Sequence, residues 1–282
     1  MLGSPRTGTT WLLNLLRTHD EIVGVDEPVI GIHLGLFLPD LFIKPAWTYT
    51  DSQKRVNEAR SESDDYFFAD RYRRTWQPQL RELILTRFAA QLEDIDGNGK
   101  AWCAIKEPNG SQAADILMQT LPTSRLLWIL RDGRDVVDSE VDAAGKGAWL
   151  TAYGGDFEWS PEQRLDFVRE RAYRWVWRQE IVGAAYDAHP PELRLRISYE
   201  DLLSDTEAGM REILGWLEVT PRADLAELVA KGSFEAIPES DRGKGKFVRS
   251  ASPGAWRENL TPDECGALEE ICGPQLRALG YD

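Results

Sequence analysis

The residues Gly3, Ser4, Pro5, Arg6, Thr7, Gly8, Thr9 and Thr10 have the composition of a loop that cradles an oxyanion. Gly3 and Gly8 let the backbone turn tightly, so successive N–H groups can converge on one anion. Thr9 and Thr10 stand where a helix N-terminus aims its dipole and free amides at the same ligand. The apolar run Trp11-Leu12-Leu13-Asn14-Leu15-Leu16 follows with helical spacing. The nucleotide-triphosphate loop G-x-x-x-x-G-K-[ST] is matched at Gly3, Gly8 and Thr10 but not at its lysine, which is Thr9 here. A cation stands inside the loop instead, as Arg6. These features imply a phosphate-like ligand outside ordinary ATP chemistry. An ATP-dependent phosphotransferase and a non-catalytic nucleotide-binding protein are the alternatives.

Arg131 and Ser139 form a second signal. Arg125-Leu126-Leu127-Trp128-Ile129-Leu130 reads as a buried strand, and a helix is expected from about residue 134. Ser139 then lies in the second turn of that helix and faces the strand tip, where Arg131 offers a guanidinium to a second phosphate. The alternative is that Arg131, Asp132, Arg134 and Asp135 pair among themselves as a solvated helix start.

The elements that position these groups follow from periodicity. Strands are expected at 22–25, 101–105, 125–130 and 193–197, and helices at 9–19, 79–94, 111–120, from about 134, and 161–188. Pro161 suits a first helical turn. Strands alternating with helices give an α/β fold, three layers deep, with a P-loop-like central parallel sheet flanked by helices. One domain over 1–282 is expected. Polar clusters at 3–10, 106–109, 131–139 and 198–201 each follow a strand or the place for one, so they should meet in one crevice. Almost no strand precedes Gly3, so the first strand is expected to be truncated. Residues 44–78 and 144–160 read as excursions on the acceptor side, with Trp149 and Trp159 as pocket candidates. Trp102, Trp128, Trp175 and Trp177 read as core. His19 is read as a helix C-terminal dipole partner, and His189 as a solvated linker residue.

Composition excludes several classes. A net charge of -14 with pI near 4.8 argues against general nucleic-acid or anionic-membrane binding, so an anion site must be a local basic cluster. Cys103, Cys265 and Cys272 have no metal-ligand spacing, which suits a reducing cytoplasm. No stretch of 18 apolar residues is present, so no membrane span is indicated. A homodimer is compatible with this chain.

The segments Gly3–Trp11, Leu130–Ser139 and Ser198–Leu202 together resemble the sulfotransferases that use 3′-phosphoadenosine 5′-phosphosulfate (PAPS), from residue 3 to about 260. The resemblance is strongest to bacterial and tyrosyl-protein members. It implies the sulfotransferase fold and sulfonate transfer to a hydroxyl or amine of a small-molecule, lipid or glycan acceptor, with no metal. It assigns Arg6, Thr7, Gly8, Thr9 and Thr10 to the 5′-phosphosulfate, and Arg131 and Ser139 to the 3′-phosphate. Val248-Arg249-Ser250 looks like the family's C-terminal cofactor loop, although the usual Arg-Lys-Gly is Arg249-Ser250-Ala251 here. By the same resemblance an aromatic at Trp11 lies against the adenine, with core packing as its alternative, and Tyr199 either touches the adenine or caps a strand. Arg6 and Lys106 would stabilise developing charge on the sulfonate. Many cytosolic members have a histidine two residues after the lysine; Pro108 stands there in this chain. Glu27 matches the glutamate that tyrosyl-protein and several bacterial members carry, which makes it the expected general base. Asp26, Glu107 and His33 are its competitors.

Overall fold

The computed structural model describes residues 1–34, 67–94, 99–150 and 158–282. Five parallel strands form its centre: β1 (Leu2–Gly3), β2 (Ile22–Asp26), β3 (Trp102–Lys106), β4 (Leu126–Leu130) and β5 (Arg194–Ser198). β1 pairs with β4 and β4 with β5, placing Leu2 opposite Trp128 and Ile129 opposite Ile197. β2 pairs with β3 in register from Ile22 with Trp102 to Asp26 with Lys106. Two bonds join these groups. The Met1 nitrogen donates to the Ile105 carbonyl at 2.6 Å, and the Glu107 N–H donates to the Met1 carbonyl at 3.0 Å. That alternation is one rung of a parallel ladder, so the strand order is β2-β3-β1-β4-β5. Chain order reverses beside β1, which is where α/β sheets open a ligand crevice at the strand tips.

β4 shows why the fold has three layers. Its residues are all buried, and they alternate. Leu126, Trp128 and Leu130 pack with Trp76, Leu80, Ile84, Phe88, Trp177 and Ile181 on one face. Leu127 and Ile129 pack with Leu12, Leu15, Leu16, Met210, Ile213 and Leu214 on the other. A strand covered on both sides needs a continuous apolar run, and Leu126-Leu127-Trp128-Ile129-Leu130 supplies it.

The helices that matter for the site are α1 (Thr9–Leu16), α2 (Ile30–His33), α3 (Arg73–Asp94), α4 (Ala114–Thr120), α5 (Gly133–Ala144), α6 (Pro161–Ala188), α7 (Tyr199–Ser204), α8 (Thr206–Trp216), α9 (Leu225–Lys231), α10 (Trp256–Asn259) and α11 (Pro262–Leu279). Capping boxes fix the starts of α6, with Ser160 and Gln163, and of α11, with Thr261 and Glu264. α3 begins six residues before the expected 79, with Pro78 inside it. Its buried residues Trp76, Leu80, Ile84 and Phe88 recur only every fourth position. One narrow stripe buries this helix, which is why no clear period marked its first turn. The rest of the 44–78 excursion, residues 44–66, lies outside the described residues, as do residues 151–157 of the second excursion. An apolar cavity of about 170 Å³ runs along β3 and is lined by Trp102, Cys103, Ile105 and Glu107 together with Leu117, Leu126 and Leu217.

Two histidines depart from expectation. His19 is buried: its Nε2 bonds the Thr220 carbonyl at 2.9 Å, and its Nδ1 accepts from the Glu21 N–H at 3.1 Å. It ties the end of α1 to a distant turn and does not serve the helix dipole. His189 is also buried, with Nε2 at 2.7 Å from the Ser124 carbonyl, so it is a tether between segments and not a solvated linker. Among the described residues, no helix is long and apolar enough to cross a membrane.

Candidate active site

The loop after β1 is shaped by close backbone approach. A Cβ on Gly3 would lie 2.5 Å from the Ile129 carbonyl oxygen of β4. Gly8, at φ 81°, is the N-cap of α1, and a Cβ there would lie 2.6 Å from the Tyr199 ring. Arg6 adopts the left-handed region without being glycine, at φ 66°. The Thr7 hydroxyl donates to the Ser4 carbonyl at 2.7 Å, and the Gly3 N–H donates to the Ser111 hydroxyl at 3.0 Å. α1 starts at Thr9 with no side-chain cap and no acidic residue in its first turn. Its first amides and its positive dipole end therefore remain for an anion.

Three arginines gather beside this loop. Arg131, at the tip of β4, donates from Nη1 to the Arg6 carbonyl at 2.8 Å, and its guanidinium lies 4.5 Å from the Tyr199 ring centre. The Arg131 Nε is buried without a hydrogen-bond partner. Arg6 donates from Nε to the Ser139 hydroxyl at 3.0 Å and from Nη2 to the Phe247 carbonyl at 2.8 Å. Burial, and then the neighbouring charges of Arg131 and Arg249, hold the Arg6 pKa down at about 10. Arg249 ion-pairs with Asp138. Burial opposes the Arg249 charge, and the Asp138 bond with the nearby Asp142 and Asp135 charges more than offsets it, so its pKa is raised. Ser250 follows Arg249 in the same partly buried segment. The sequence assigned Arg6 and Ser139 to different phosphates, and here the two side chains touch. Trp11 and Tyr199 meet edge to face at 6.0 Å, and the Trp11 indole donates to the Gly232 carbonyl at 2.8 Å.

The second half of the site lies at the tips of β2 and β3. Lys106 is buried, and its ammonium contacts three oxygens: Thr10 Oγ1 at 2.7 Å, Asp26 Oδ1 at 2.6 Å and Glu27 Oε1 at 2.8 Å. Asn109 Nδ2 donates to the other Glu27 oxygen, Oε2. Both Glu27 oxygens are thus engaged while its side chain remains about a third exposed, at 32%. Of the competing bases, Asp26 shares the Lys106 ammonium, and Glu107 is buried away from solvent. The His33 side chain lies outside the described residues. Among the described residues, no group of His, Cys, Asp or Glu is arranged to hold a metal ion.

Some residues escaped the sequence reading. Asp135, Asp138 and Asp142 lie on one face of α5 and grip the segment that ends the site. Asp135 accepts the Gly254 and Trp256 N–H groups at 2.7 and 3.3 Å, Asp138 accepts from Asn259 at 3.0 Å, and Asp142 accepts the Gly245 N–H at 2.9 Å. Their i, i+3, i+7 spacing on a helix is the signal that was available. Arg134 pairs with Asp132, but the pair is buried and Arg131 does not join it, so this is not the solvated helix start of the alternative reading. Trp149 and Phe247 flank the Arg6 guanidinium at 5.5 and 5.2 Å. Trp159 packs on Phe167 of α6 at 5.0 Å, in the cluster formed with α5 and α11. Trp128, Trp175 and Trp177 are core residues as expected, and Trp102 is half-buried with its indole on the Leu217 carbonyl at 3.0 Å.

A parallel α/β sheet whose strand tips combine an uncapped helix start with clustered arginines defines a protein that handles phosphate-like anions. The family comparison makes this specific: residues 1–224 match the sulfotransferase family, and the chain belongs to that family. Protein-tyrosine sulfotransferase 1 of Homo sapiens is 23% identical over 288 residues, covering 99% of this chain and 68% of that protein. Protein-tyrosine sulfotransferase A of Caenorhabditis elegans is 22% identical, covering 99% and 66%. Among solved structures, the sulfotransferase domain from the curacin biosynthetic pathway aligns with a TM-score of 0.56 at 15% identity, over 100% of this chain and 96% of that one. A mouse sulfotransferase complexed with PAP aligns with a TM-score of 0.53 at 12% identity, over 98% and 82%. The expected sulfotransferase fold is borne out.

Proposed function

We propose that this chain transfers a sulfonate group from PAPS to a hydroxyl or amine of a small-molecule, lipid or glycan acceptor. When bound, PAPS supplies an activated sulfur whose leaving group is adenosine 3′,5′-bisphosphate. The observation that carries this reading is the gathering of Arg131 and Arg249 near Arg6, which itself bonds Ser139, on a chain of net charge -14. The buried Arg131 Nε and Ser4 Oγ have no hydrogen-bond partner, so the site has donors to spare for phosphate oxygens. The mouse relative's complex with PAP supports the same nucleotide.

In this reading Thr7, Gly8, Thr9 and Thr10 hold the 5′ end by their amides and hydroxyls. Arg131, Ser139, Arg249 and Ser250 hold the 3′-phosphate, and Trp11 with Tyr199 lies along the adenine. The acceptor oxygen forms its bond to sulfur as the sulfur–oxygen bond to the 5′-phosphate breaks. Glu27 takes the acceptor proton on a carboxylate oxygen. Lys106, already at Thr10, balances negative charge growing on the sulfonate and bridging oxygens. Arg6 joins it by leaving Ser139. The three cysteines are free thiols, which supports a reducing cytoplasm.

The test is transfer of labelled sulfonate from PAPS to a panel of phenols, alcohols and amines, with adenosine 3′,5′-bisphosphate titrated by calorimetry. Glu27→Gln should abolish transfer and leave bisphosphate affinity within about twofold, because a neutral amide cannot take the proton. Retained turnover would move the base elsewhere. Absent bisphosphate binding, or ATP binding strengthened by magnesium, would overturn the donor.

A further inference from the structure

The turn that follows β2 carries two non-glycine residues in the left-handed region, Glu27 at φ 43° and Val29 at φ 49°. For a β-branched residue such as Val29 this conformation is a genuine outlier. It persists only where the surroundings over-determine it. The Glu107 carboxylate is what surrounds it. Oε2 accepts the Val29 N–H at 2.8 Å, and Oε1 accepts the Gly31 N–H at 3.4 Å. Pro28 has no N–H to offer, so the cradle of amides begins at Val29.

Glu107 is itself rigidly held. Its side chain is buried, at 2% exposure. Its N–H donates to the Met1 carbonyl at 3.0 Å, and its carbonyl accepts from the Ser111 hydroxyl at 3.0 Å. Gly110 leaves the room the carboxylate occupies, since a Cβ there would lie 2.1 Å from Glu107 Oε1. Burial disfavours the ionised carboxylate, and the amides of Val29, Gly31 and Ile30 oppose that cost. Glu107 also sits one residue from Lys106, so a single strand tip carries both the cation that contacts Glu27 and the anion that bends its turn.

We propose that Glu107 is a positioning residue: its carboxylate clamps the turn at 27–31 and thereby holds Glu27 against Lys106 and Asn109. The consequence for transfer rests on Glu27 being the base; the clamp itself does not. Glu107→Gln keeps the side chain's shape but turns an amide N–H₂ toward backbone donors. The turn then loosens, and a displacement of about 1 Å costs on the order of 100-fold in turnover. Replacing Val29 by glycine removes the steric objection to positive φ, so the Val29→Gly, Glu107→Gln double variant should regain part of that loss.

The experiment combines three readings on wild type, Glu107→Gln, the double variant and Glu27→Gln. Amide hydrogen exchange at residues 27, 29, 30 and 31 reports the clamp, whatever the base is. Turnover with PAPS and the best acceptor of the phenol, alcohol and amine panel reports its catalytic effect. Bisphosphate affinity reports an intact cofactor side. The expected result for Glu107→Gln is faster exchange confined to this turn, kcat lowered about 100-fold with KM for PAPS and bisphosphate affinity unchanged, and partial rescue in the double variant. Unchanged exchange overturns the clamp. Faster exchange with unchanged kcat, while Glu27→Gln is inactive, overturns the positioning role. Parallel loss of turnover and bisphosphate binding without rescue also overturns it, by making Glu107 a general stability residue. Full activity of Glu27→Gln refutes the base assignment separately, and exchange still decides the clamp.

Discussion

Gly8→Ala is a small change with a calculable effect. Gly8 is the left-handed N-cap of α1 at φ 81°, so any Cβ there incurs about 1–2 kcal/mol of backbone strain. The added methyl would also stand 2.6 Å from Tyr199 Cδ2 and 2.9 Å from Cε2. Carbon atoms rest at about 3.5–4.0 Å, so the ring must retreat by roughly 1 Å. Forced repacking of that kind costs about 1–3 kcal/mol. The two terms give about 2–5 kcal/mol, or roughly a 3–9 °C fall in Tm for a chain of this size. Tyr199 also lies under Arg131, with 4.5 Å between ring centre and guanidinium, so the retreat carries the proposed 3′-phosphate ligand with it. Bisphosphate affinity should fall by at least tenfold, about 1.4 kcal/mol. Gly266→Ala is the matched control. It lies within α11, where an added Cβ meets nothing within 4 Å, and alanine should be neutral or stabilising by about 0.5–1 kcal/mol. Thermal denaturation and calorimetric titration of the bisphosphate read both variants. A Gly8→Ala protein that melts and binds like wild type refutes the reasoning, as does a Gly266→Ala protein that loses as much stability as Gly8→Ala.

Arg131→Ala should weaken the bisphosphate about 10–100-fold, the loss of one charged hydrogen bond at about 1.5–3 kcal/mol; an unchanged calorimetric Kd would remove Arg131 from the anion site. Stability should also depend on pH in an uncommon direction. Burial is the largest cause raising the pKa values of Glu107, Asp135 and Glu200 above their ordinary 4.5, 3.8 and 4.5. In the window between each ordinary value and its raised value, the folded chain binds more protons than the unfolded one, so stability declines as pH rises through it. The -14 charge adds self-repulsion of the same sign. Tm should therefore decline as pH rises through the window that opens just above pH 4.5, and a flat or opposite profile by scanning calorimetry would show that these carboxylates do not govern it.

Much of this fold is legible in residue order because its signals are local. The run Leu126–Leu130 is apolar without interruption, and only a strand covered on both faces needs that. Arg131 and Ser139 stand beside the glycine loop because a parallel sheet brings its strand tips together, a rule of topology that needs no coordinates. Distance in sequence defeats the same reasoning elsewhere. The roles of His19 and His189 depend on the carbonyls of Thr220 and Ser124, which no local window contains. Asp135, Asp138 and Asp142 read as solvent-facing charges until the segment at 245–259 lies across them. Glu107 competes with Glu27 for the base role on residue type alone. What separates them is that Glu107 faces amides and Glu27 faces a cation and solvent.

The arginine cluster is assembled from distant parts of the sequence, with Arg6 and Arg249 separated by 243 positions. Synthesis runs from the N-terminus at about 5–20 residues per second, so a newly made Arg6 waits roughly 12–50 s before Arg249 leaves the ribosome. The α5 carboxylates that later hold the 245–259 segment wait for less than half of that interval, since 107 of the 243 positions follow Asp142. On the proposed assignment of Arg249 to the 3′-phosphate, a protein stalled or cut short of residue 249 should fold its sheet yet fail to be rescued by the bisphosphate.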